Sequence, residues 1–135
     1  MAELHPEARA LLEGANFVSL ATLTRDGAPH ATTVWWTFER GRPCFFTQPQ
    51  SLKARNIAAD PRVAMTIVDR ANPYRTGQLR GEVVETVEGA QALEIIDGMA
   101  RKYTGEDFPC RAGVVYLIEV AHSRFTELPF SDTPG

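Results

Sequence analysis

The sequence predicts a mainly β protein, a small closed or partly split β-barrel of six strands with a few helices. Six segments are rich in β-branched and aromatic residues, which favour strands. Turn-forming residues separate several of them, so that neighbouring strands run antiparallel. Helical patterns occur mainly near the ends of the chain and between the third and fourth strands. Closing such a sheet into a barrel removes its exposed edges.

The first half of the chain supplies an opening helix and three strands. The helix begins at Pro6, carries apolar residues at helical spacing and ends at Gly14, and we expect it to cover the barrel. The Asp26-Gly27 step favours a tight hairpin turn. The three strands form a predicted antiparallel meander, at residues 17–24, 30–39 and 42–47.

The second half begins with a short basic helix that opens at Ser51 and stops at Asp60. Gly77 and Gly81 predict two bulges in the long fifth strand. The tail, 127–135, is predicted to be irregular. The remaining elements are three strands at 62–69, 74–87 and 113–125, and an amphipathic helix at 88–103.

The composition limits the possible function classes. With 135 residues, of which 44% are hydrophobic, the chain suits one compact domain over 1–135. Its net charge of −3 and the lack of a long basic run argue against a nucleic-acid partner. No stretch approaches the roughly 20 apolar residues of a membrane span, and no signal peptide is apparent. We therefore expect a cytoplasmic protein without a membrane partner.

The cysteines and histidines predict neither a metal site nor a nucleophilic site. Cys44 is expected to pack as a small hydrophobe and Cys110 to lie in an exposed loop, and neither has a recognisable base partner. His5 and His122 are weak candidates for a site, and His122, which has no second metal ligand at a telling spacing, is expected to be structural.

The basic helix predicts a site for an anion. Ser51 is a natural N-cap, and the free N–H groups and dipole of the first helical turn favour negative charge. Lys53 and Arg55 add positive charge, and Thr47 could add a hydroxyl from the end of the third strand. These four residues could hold a phosphate. The alternative is a capped surface helix with solvated charges.

Aromatic residues predict a site for a planar ring close to that helix. Trp35 and Trp36 are consecutive in a predicted strand, so their side chains must point to opposite faces. One is expected in the core, while the other, with Tyr74, could flank a flat ring. His30 could face the same cleft. Core, interface or solvated positions are the alternatives for these side chains.

Five segments together resemble the flavin/deazaflavin split-barrel superfamily: DGAPHATTVWWTFERGRPCFFT, SLKARNIAADPRV, NPYRTGQLRGEVVE, IDGMARKYTG and GVVYLIEVAHSRF. Within it, the chain is most similar to the pyridoxamine 5'-phosphate oxidase-like, coenzyme F420-dependent oxidoreductases of the FDOR-B type. The resemblance implies a homodimer of six-stranded, FMN-binding split-barrel-like subunits, with two cofactors between them and a small-molecule substrate.

The resemblance also implies which residues bind the cofactor. Part of the second strand would lie beside the ring system, the basic-helix region would serve the phosphate and side chain, and the loop after the fourth strand would approach from either subunit. The residues are, in that order, Thr33, Val34, Trp35 and Trp36; Phe46, Thr47, Ser51, Lys53, Arg55 and Asn56; and Tyr74 and Arg75.

The implied activity is hydride transfer from reduced F420 to an unsaturated or conjugated organic substrate. Such chemistry needs orientation more than a side-chain nucleophile, and a proton could come from Tyr74, His30 or water. One alternative is an FMN-dependent oxidoreductase of similar shape. Another is a non-catalytic protein that binds a cofactor, a tetrapyrrole or a fatty ligand. Ser51 stands where relatives often carry a basic residue, and the tail lacks the substrate-binding features of true pyridoxamine-phosphate oxidases, which disfavours vitamin B6 oxidation.

Overall fold

A computed structural model describes residues 3–130. It confirms a mainly β protein with three helices. No helix in this range is long and apolar enough to cross a membrane. The elements are α1 Pro6–Glu13, β1 Val18–Leu23, β2 Pro29–Val34, β3 Thr37–Glu39, β4 Arg42–Thr47, α2 Leu52–Ala59, β5 Arg62–Val68, β6 Arg75–Val87, α3 Gly89–Thr104 and β7 Val114–Glu127.

The strands form one antiparallel sheet in the order β2-β1-β5-β6-β7-β4-β3. Its two edge strands, β2 and β3, are joined only by Trp35 and Trp36. Since the three Cα steps from Val34 to Thr37 span at most about 11 Å, the two edges of the sheet must approach each other. The sheet therefore curls into a barrel that is closed there by the chain, without β2 and β3 being hydrogen-bonded neighbours.

The prediction of six strands was wrong, because the segment 30–39 forms two strands. The break falls at Trp35 and Trp36. The backbone N–H of Trp36 donates to the hydroxyl of Tyr103 at 3.1 Å, and this hydroxyl donates to the carbonyl of Asn16 at 2.6 Å. The Trp36 N–H thus donates to a side chain of α3, whereas in a continuous strand it would be free to donate to a neighbouring strand.

The long strand β6 is irregular against β7. It contains two register shifts, one of which lies between Arg80 and Gly81 as predicted, but the extra residue there is Ala121 of β7, and the residue that β6 itself inserts is Val84. The bulge predicted at Gly77 was wrong, because this residue stays in register opposite Phe125. Gly77 instead lies under α1, where an added Cβ would be 3.3 Å from the Cβ of Ala8. Glycine at position 77 therefore lets α1 pack closely against β6.

The core consists of two clusters. The larger one fills the barrel and includes Trp36 and Phe45, and it is covered by α1 through buried Leu11 and Leu12. The smaller one lies under α3 and includes Cys44, whose pKa is raised to about 12 by burial. The expected packing role of Cys44 and the exposed position of Cys110 are both confirmed.

We expect Gly81→Ala to lower the free energy of unfolding by about 1–3 kcal/mol, because the added Cβ would overlap the backbone carbonyl of Glu119. Urea denaturation monitored by circular dichroism would measure the change. Gly98→Ala is the matched control, since a Cβ at that helical position meets no atom within 4 Å and alanine favours a helix. Equal stability of the Gly81 variant and the wild type would contradict this account of the bulge.

Candidate functional site

A cleft with a volume of about 310 Å³ opens where β2 and β4 end and α2 begins. Its lining combines aromatic rings with polar and cationic groups. The lining residues are Phe17, Thr33, Val34, Trp35, Phe46, Thr47, Gln48, Lys53 and Phe108. Six of these nine residues belong to the predicted cofactor-binding set.

The polar part of the cleft is built around the start of α2. The hydroxyl of Ser51 accepts the backbone N–H of Ala54 at 3.1 Å, which confirms Ser51 as the N-cap. The hydroxyl of Thr47 donates to the Ser51 oxygen at 2.9 Å. This pair ties the end of β4 to the first turn of α2. The cleft wall and the helix start therefore hold a defined position relative to each other.

Lys53 is the cation of this part of the cleft. Its side chain is half-buried and makes no hydrogen bond or ion pair with any residue between 3 and 130. Arg55 lies outside the cleft, in a depression that it shares with Arg25 and Asp26. The side chain of Asn56 is buried and donates to Thr22 at 3.0 Å. Of the charges predicted for a phosphate, the structure brings only Lys53 to the cleft.

The aromatic part of the cleft is built around Trp35. Its ring stacks on Tyr103, with centroids 5.3 Å apart and an angle of 11° between the planes. The rings of Phe46 and Phe108 also pack near the Trp35 ring, with centroid distances of 6.2 and 6.0 Å. Trp36, by contrast, is fully buried in the core. The prediction that the two tryptophans lie on opposite faces is confirmed, and Trp35 is the one that faces the cleft.

Phe108 belongs to the loop between α3 and β7, and an ion pair holds this loop. The carboxylate of Asp97, which is 8% exposed, accepts two hydrogen bonds from the Arg111 guanidinium at 2.9 Å each. It also accepts the backbone N–H of Phe108 at 3.1 Å, and Arg111 donates to the Phe108 carbonyl at 2.7 Å. The Arg111 guanidinium lowers the pKa of Asp97.

Three further predicted site residues lie outside this cleft. The ring of Tyr74 contacts Phe130, with centroids 5.4 Å apart. His30 pairs with Thr22 across β1 and β2, and its buried Nδ1 has no hydrogen-bond partner within residues 3–130. Arg75 makes ion pairs with three carboxylates, those of Glu7, Asp69 and Glu127.

Sequence reasoning missed three residues of the cleft: Phe17, Gln48 and Phe108. Gln48 directly follows Thr47, a predicted site residue, so its position in the sequence could have indicated that it lies in the cleft. Its side-chain amide donates to the carbonyl of Ala112 at 3.0 Å, which connects the start of the β4–α2 loop to the loop that carries Phe108. Phe108 had no such signal, because it reaches the cleft only through tertiary packing.

The Asp97–Arg111 pair predicts a dependence of stability on pH. Since the folded-state pKa of Asp97 lies below its ordinary value of 3.8, its stabilising contribution is complete above that pH and is lost as pH falls further. Asp97→Asn should therefore melt below the wild type at pH 7, and the difference should shrink as pH falls through about 4 and below. Thermal melts in buffers of equal ionic strength would measure it. A difference that is constant or grows with acidity would contradict the assignment.

Comparison with known proteins places this geometry in context. The sequence profile of the family Pyridoxamine 5'-phosphate oxidase matches residues 4–124. The solved structure of an F420 reductase is 26% identical, with a TM-score of 0.79, over 90% of this chain and 98% of that one. No curated protein matches the chain.

Two further structures share the fold. A conserved hypothetical protein from Mycobacterium tuberculosis is 23% identical with a TM-score of 0.71, over 99% of this chain and 98% of that one. A heme binding protein from Mycobacterium smegmatis is 25% identical with a TM-score of 0.64, over 93% of this chain and 55% of that one.

Proposed function

The chain belongs to the pyridoxamine 5'-phosphate oxidase family, and on this premise we propose that it is an oxidoreductase that uses the deazaflavin coenzyme F420. In this proposal it transfers a hydride from the reduced cofactor to an unsaturated or conjugated organic molecule. The likeness to an F420 reductase supports it. The observation that carries it is the presence of an unpaired ammonium group and an aromatic cluster in the same cleft.

The polar part of the cleft fits a phosphate. Lys53 offers a cation that no described residue neutralises. The hydroxyls of Thr47 and Ser51 lie at the start of α2, where the helix dipole also favours an anion. Charge-assisted hydrogen bonds from an ammonium group to phosphate oxygens are among the stronger polar contacts in proteins. We assign Lys53 and the hydroxyl proton of Ser51 to the phosphate, with Thr47 holding the Ser51 oxygen in place.

The aromatic part of the cleft fits a planar ring. Trp35, Phe46 and Phe108 present ring faces and edges, and aromatic groups favour stacked or edge-to-face contacts. Thr33 and Val34 belong to the edge strand β2, whose outer backbone N–H and C=O groups have no ladder partner among residues 3–130. These groups could orient the polar edge of a ring. When bound, the cofactor supplies the hydride.

The proton that completes the product comes from water in this proposal. Neither Tyr74 nor His30 lines the cleft of the protomer. Among the lining residues that the structure describes, Lys53 is the one with a charged side chain, and it is assigned to the phosphate. A solvent-open cleft gives water direct access to the reacting atoms. The residues of the chain therefore bind and orient, and they need not exchange protons.

A second copy of the chain completes the site in this proposal. The cleft volume of about 310 Å³ lies at the lower end of the range for small-molecule sites, roughly 300–1,000 Å³. A three-ring cofactor with a phosphate arm needs additional walls. Phe17, a cleft residue that is 45% exposed, offers apolar surface for such a contact. Light scattering after size exclusion should give the mass of a dimer, and a strict monomer would contradict this part.

Two measurements test the proposed activity. Titration with F420 and with FMN, followed by absorption, identifies the cofactor that binds. Oxidation of reduced F420 is then followed with a panel of quinones, enones and nitro compounds. We expect saturable F420 binding and oxidation by at least one member of the panel. Binding without oxidation across the panel would contradict the enzymatic proposal.

Two alternative functions keep specific support. A cleft for a phosphate and a planar ring also suits FMN, and a protein that is yellow as purified would favour an FMN-dependent oxidoreductase. The likeness to a heme binding protein supports a non-catalytic tetrapyrrole carrier. Tight heme binding, together with no turnover of reduced F420 or FMN, would favour the carrier.

A further inference from the structure

We propose that Phe108 is a ring-contact residue of the cleft and that Asp97 and Arg111 are positioning residues that act through it. This inference rests on the proposed function, because it assigns a role toward the planar ring of the bound cofactor. It concerns a part of the chain well beyond the basic helix, since Phe108 follows the end of α2 by 49 residues.

Both backbone polar groups of Phe108 are bound by the same ion pair. Its N–H donates to the Asp97 carboxylate at 3.1 Å, and its carbonyl accepts from Arg111 at 2.7 Å. The two charged groups bind each other through two contacts of 2.9 Å. A bidentate arginine–carboxylate pair has a defined geometry. The peptide groups on either side of Phe108 are therefore fixed relative to α3, which carries Asp97.

The ion pair itself lies outside the cleft. Neither Asp97 nor Arg111 is among the lining residues, whereas the half-buried ring of Phe108 is. The Phe108 ring meets Phe46 edge to face at 5.0 Å and 75°, and Trp35 at 6.0 Å and 82°. The ion pair therefore has no direct contact with a ligand in the cleft, and its effect on the cleft wall passes through Phe108 and its loop.

The loop needs such support if it is to serve as a cleft wall. Residues 105–113 connect α3 to β7 without helix or strand, and unsupported loops of this kind are mobile. A second contact, from the Gln48 amide to the Ala112 carbonyl, attaches the far end of the loop. Binding is favoured when contact groups are already ordered, because less conformational entropy is then lost. The ion pair thus preorganises one aromatic wall of the cleft.

Paired ligands separate ring contacts from phosphate contacts. The probes are FMN with riboflavin, and F420 with its deazaflavin ring lacking the phosphate arm, each titrated by quenching of tryptophan fluorescence. One of the two pairs is the one that the wild type binds. Phe108→Ala should weaken the binding of both ligands of that pair, with and without the phosphate, by about tenfold. Phe108→Tyr should bind like the wild type. Phe108→Leu keeps most of the apolar volume and replaces the alanine variant if that variant does not fold.

A double-variant cycle tests the positioning role. Asp97→Asn alone should lower the affinity for both ligands of the pair by roughly threefold to fivefold. In a chain that already carries Phe108→Ala, adding Asp97→Asn should cause no further loss of affinity. Phe130→Ala is the control, since Phe130 is an exposed aromatic residue outside the cleft. It should leave both affinities unchanged. Thermal melts show that each variant is folded at the titration temperature.

The outcomes separate this inference from the proposed function. If the wild type binds a ring and Phe108→Ala changes neither affinity, the inference is overturned while the proposed function stands. It is also overturned if Phe108→Ala weakens only the phosphate-bearing ligand, or if Asp97→Asn keeps its full effect in the double variant. If the wild type binds none of the four probes, the proposed function and the inference both fail.

Discussion

Trp36→Ala should lower the free energy of unfolding by about 3–5 kcal/mol, the largest loss that we expect from a single substitution in this chain. Trp36 is fully buried and packs against Phe45, with ring centroids 5.3 Å apart. Alanine would leave a cavity in the centre of the barrel and remove the dispersion contacts of an indole ring. Urea denaturation followed by circular dichroism would measure the loss.

Trp35→Ala is the matched comparison, since it removes the same side chain from the adjacent position. Trp35 is half-buried and lies at the cleft, so we expect a loss of only about 1–2 kcal/mol. Its effect should appear in ligand affinity instead. Similar losses of stability in the two variants would show that the two tryptophans do not divide into a core residue and a cleft residue.

Lys53→Ala should weaken the binding of F420 or FMN by about 1.5–3 kcal/mol, or roughly 10- to 150-fold, because a charge-assisted contact to the phosphate is lost. Stability should change little, since the Lys53 ammonium has no ion-pair or hydrogen-bond partner within residues 3–130. The affinity of the phosphate-free ring should also remain close to that of the wild type. Fluorescence titrations of both ligands provide these numbers.

Arg55→Ala provides a control for the charge of the helix. It removes one positive charge from α2, two residues from Lys53, but from a surface outside the cleft. A small loss of affinity that disappears in high salt would fit a long-range electrostatic effect. Equal losses for the Lys53 and Arg55 variants would contradict the assignment of Lys53 to a direct phosphate contact.

The elements with local signals could be predicted from the sequence. Ser51 has the chemistry of an N-cap, and its hydroxyl accepts the helix N–H as expected. Gly14 ends α1, and Gly27 adopts the positive φ of 83° that a tight turn can require. The break between β2 and β3 had no local signal. It depends on the hydroxyl of Tyr103, which lies 67 residues from Trp36 in the chain.

The same distinction applies to the candidate site. Thr47, Ser51 and Lys53 were predicted as a group because a strand end and a helix cap stand close together in the sequence. Phe108 was missed because its place depends on an ion pair between α3 and the following loop. Arg75 was predicted to approach the cofactor, but the structure places three carboxylates around its guanidinium.

The two-residue link between β2 and β3 has a consequence for directed evolution. Trp35 and Trp36 share a peptide bond, so a backbone shift that adapts one of them to a new ligand also disturbs the barrel interior. Library diversity that includes Trp36 would mostly yield chains that fail to fold. Gln48 and Phe108 border the same cleft from loops outside the sheet, where substitutions leave the barrel intact. New ligand preferences should therefore be sought at those two positions.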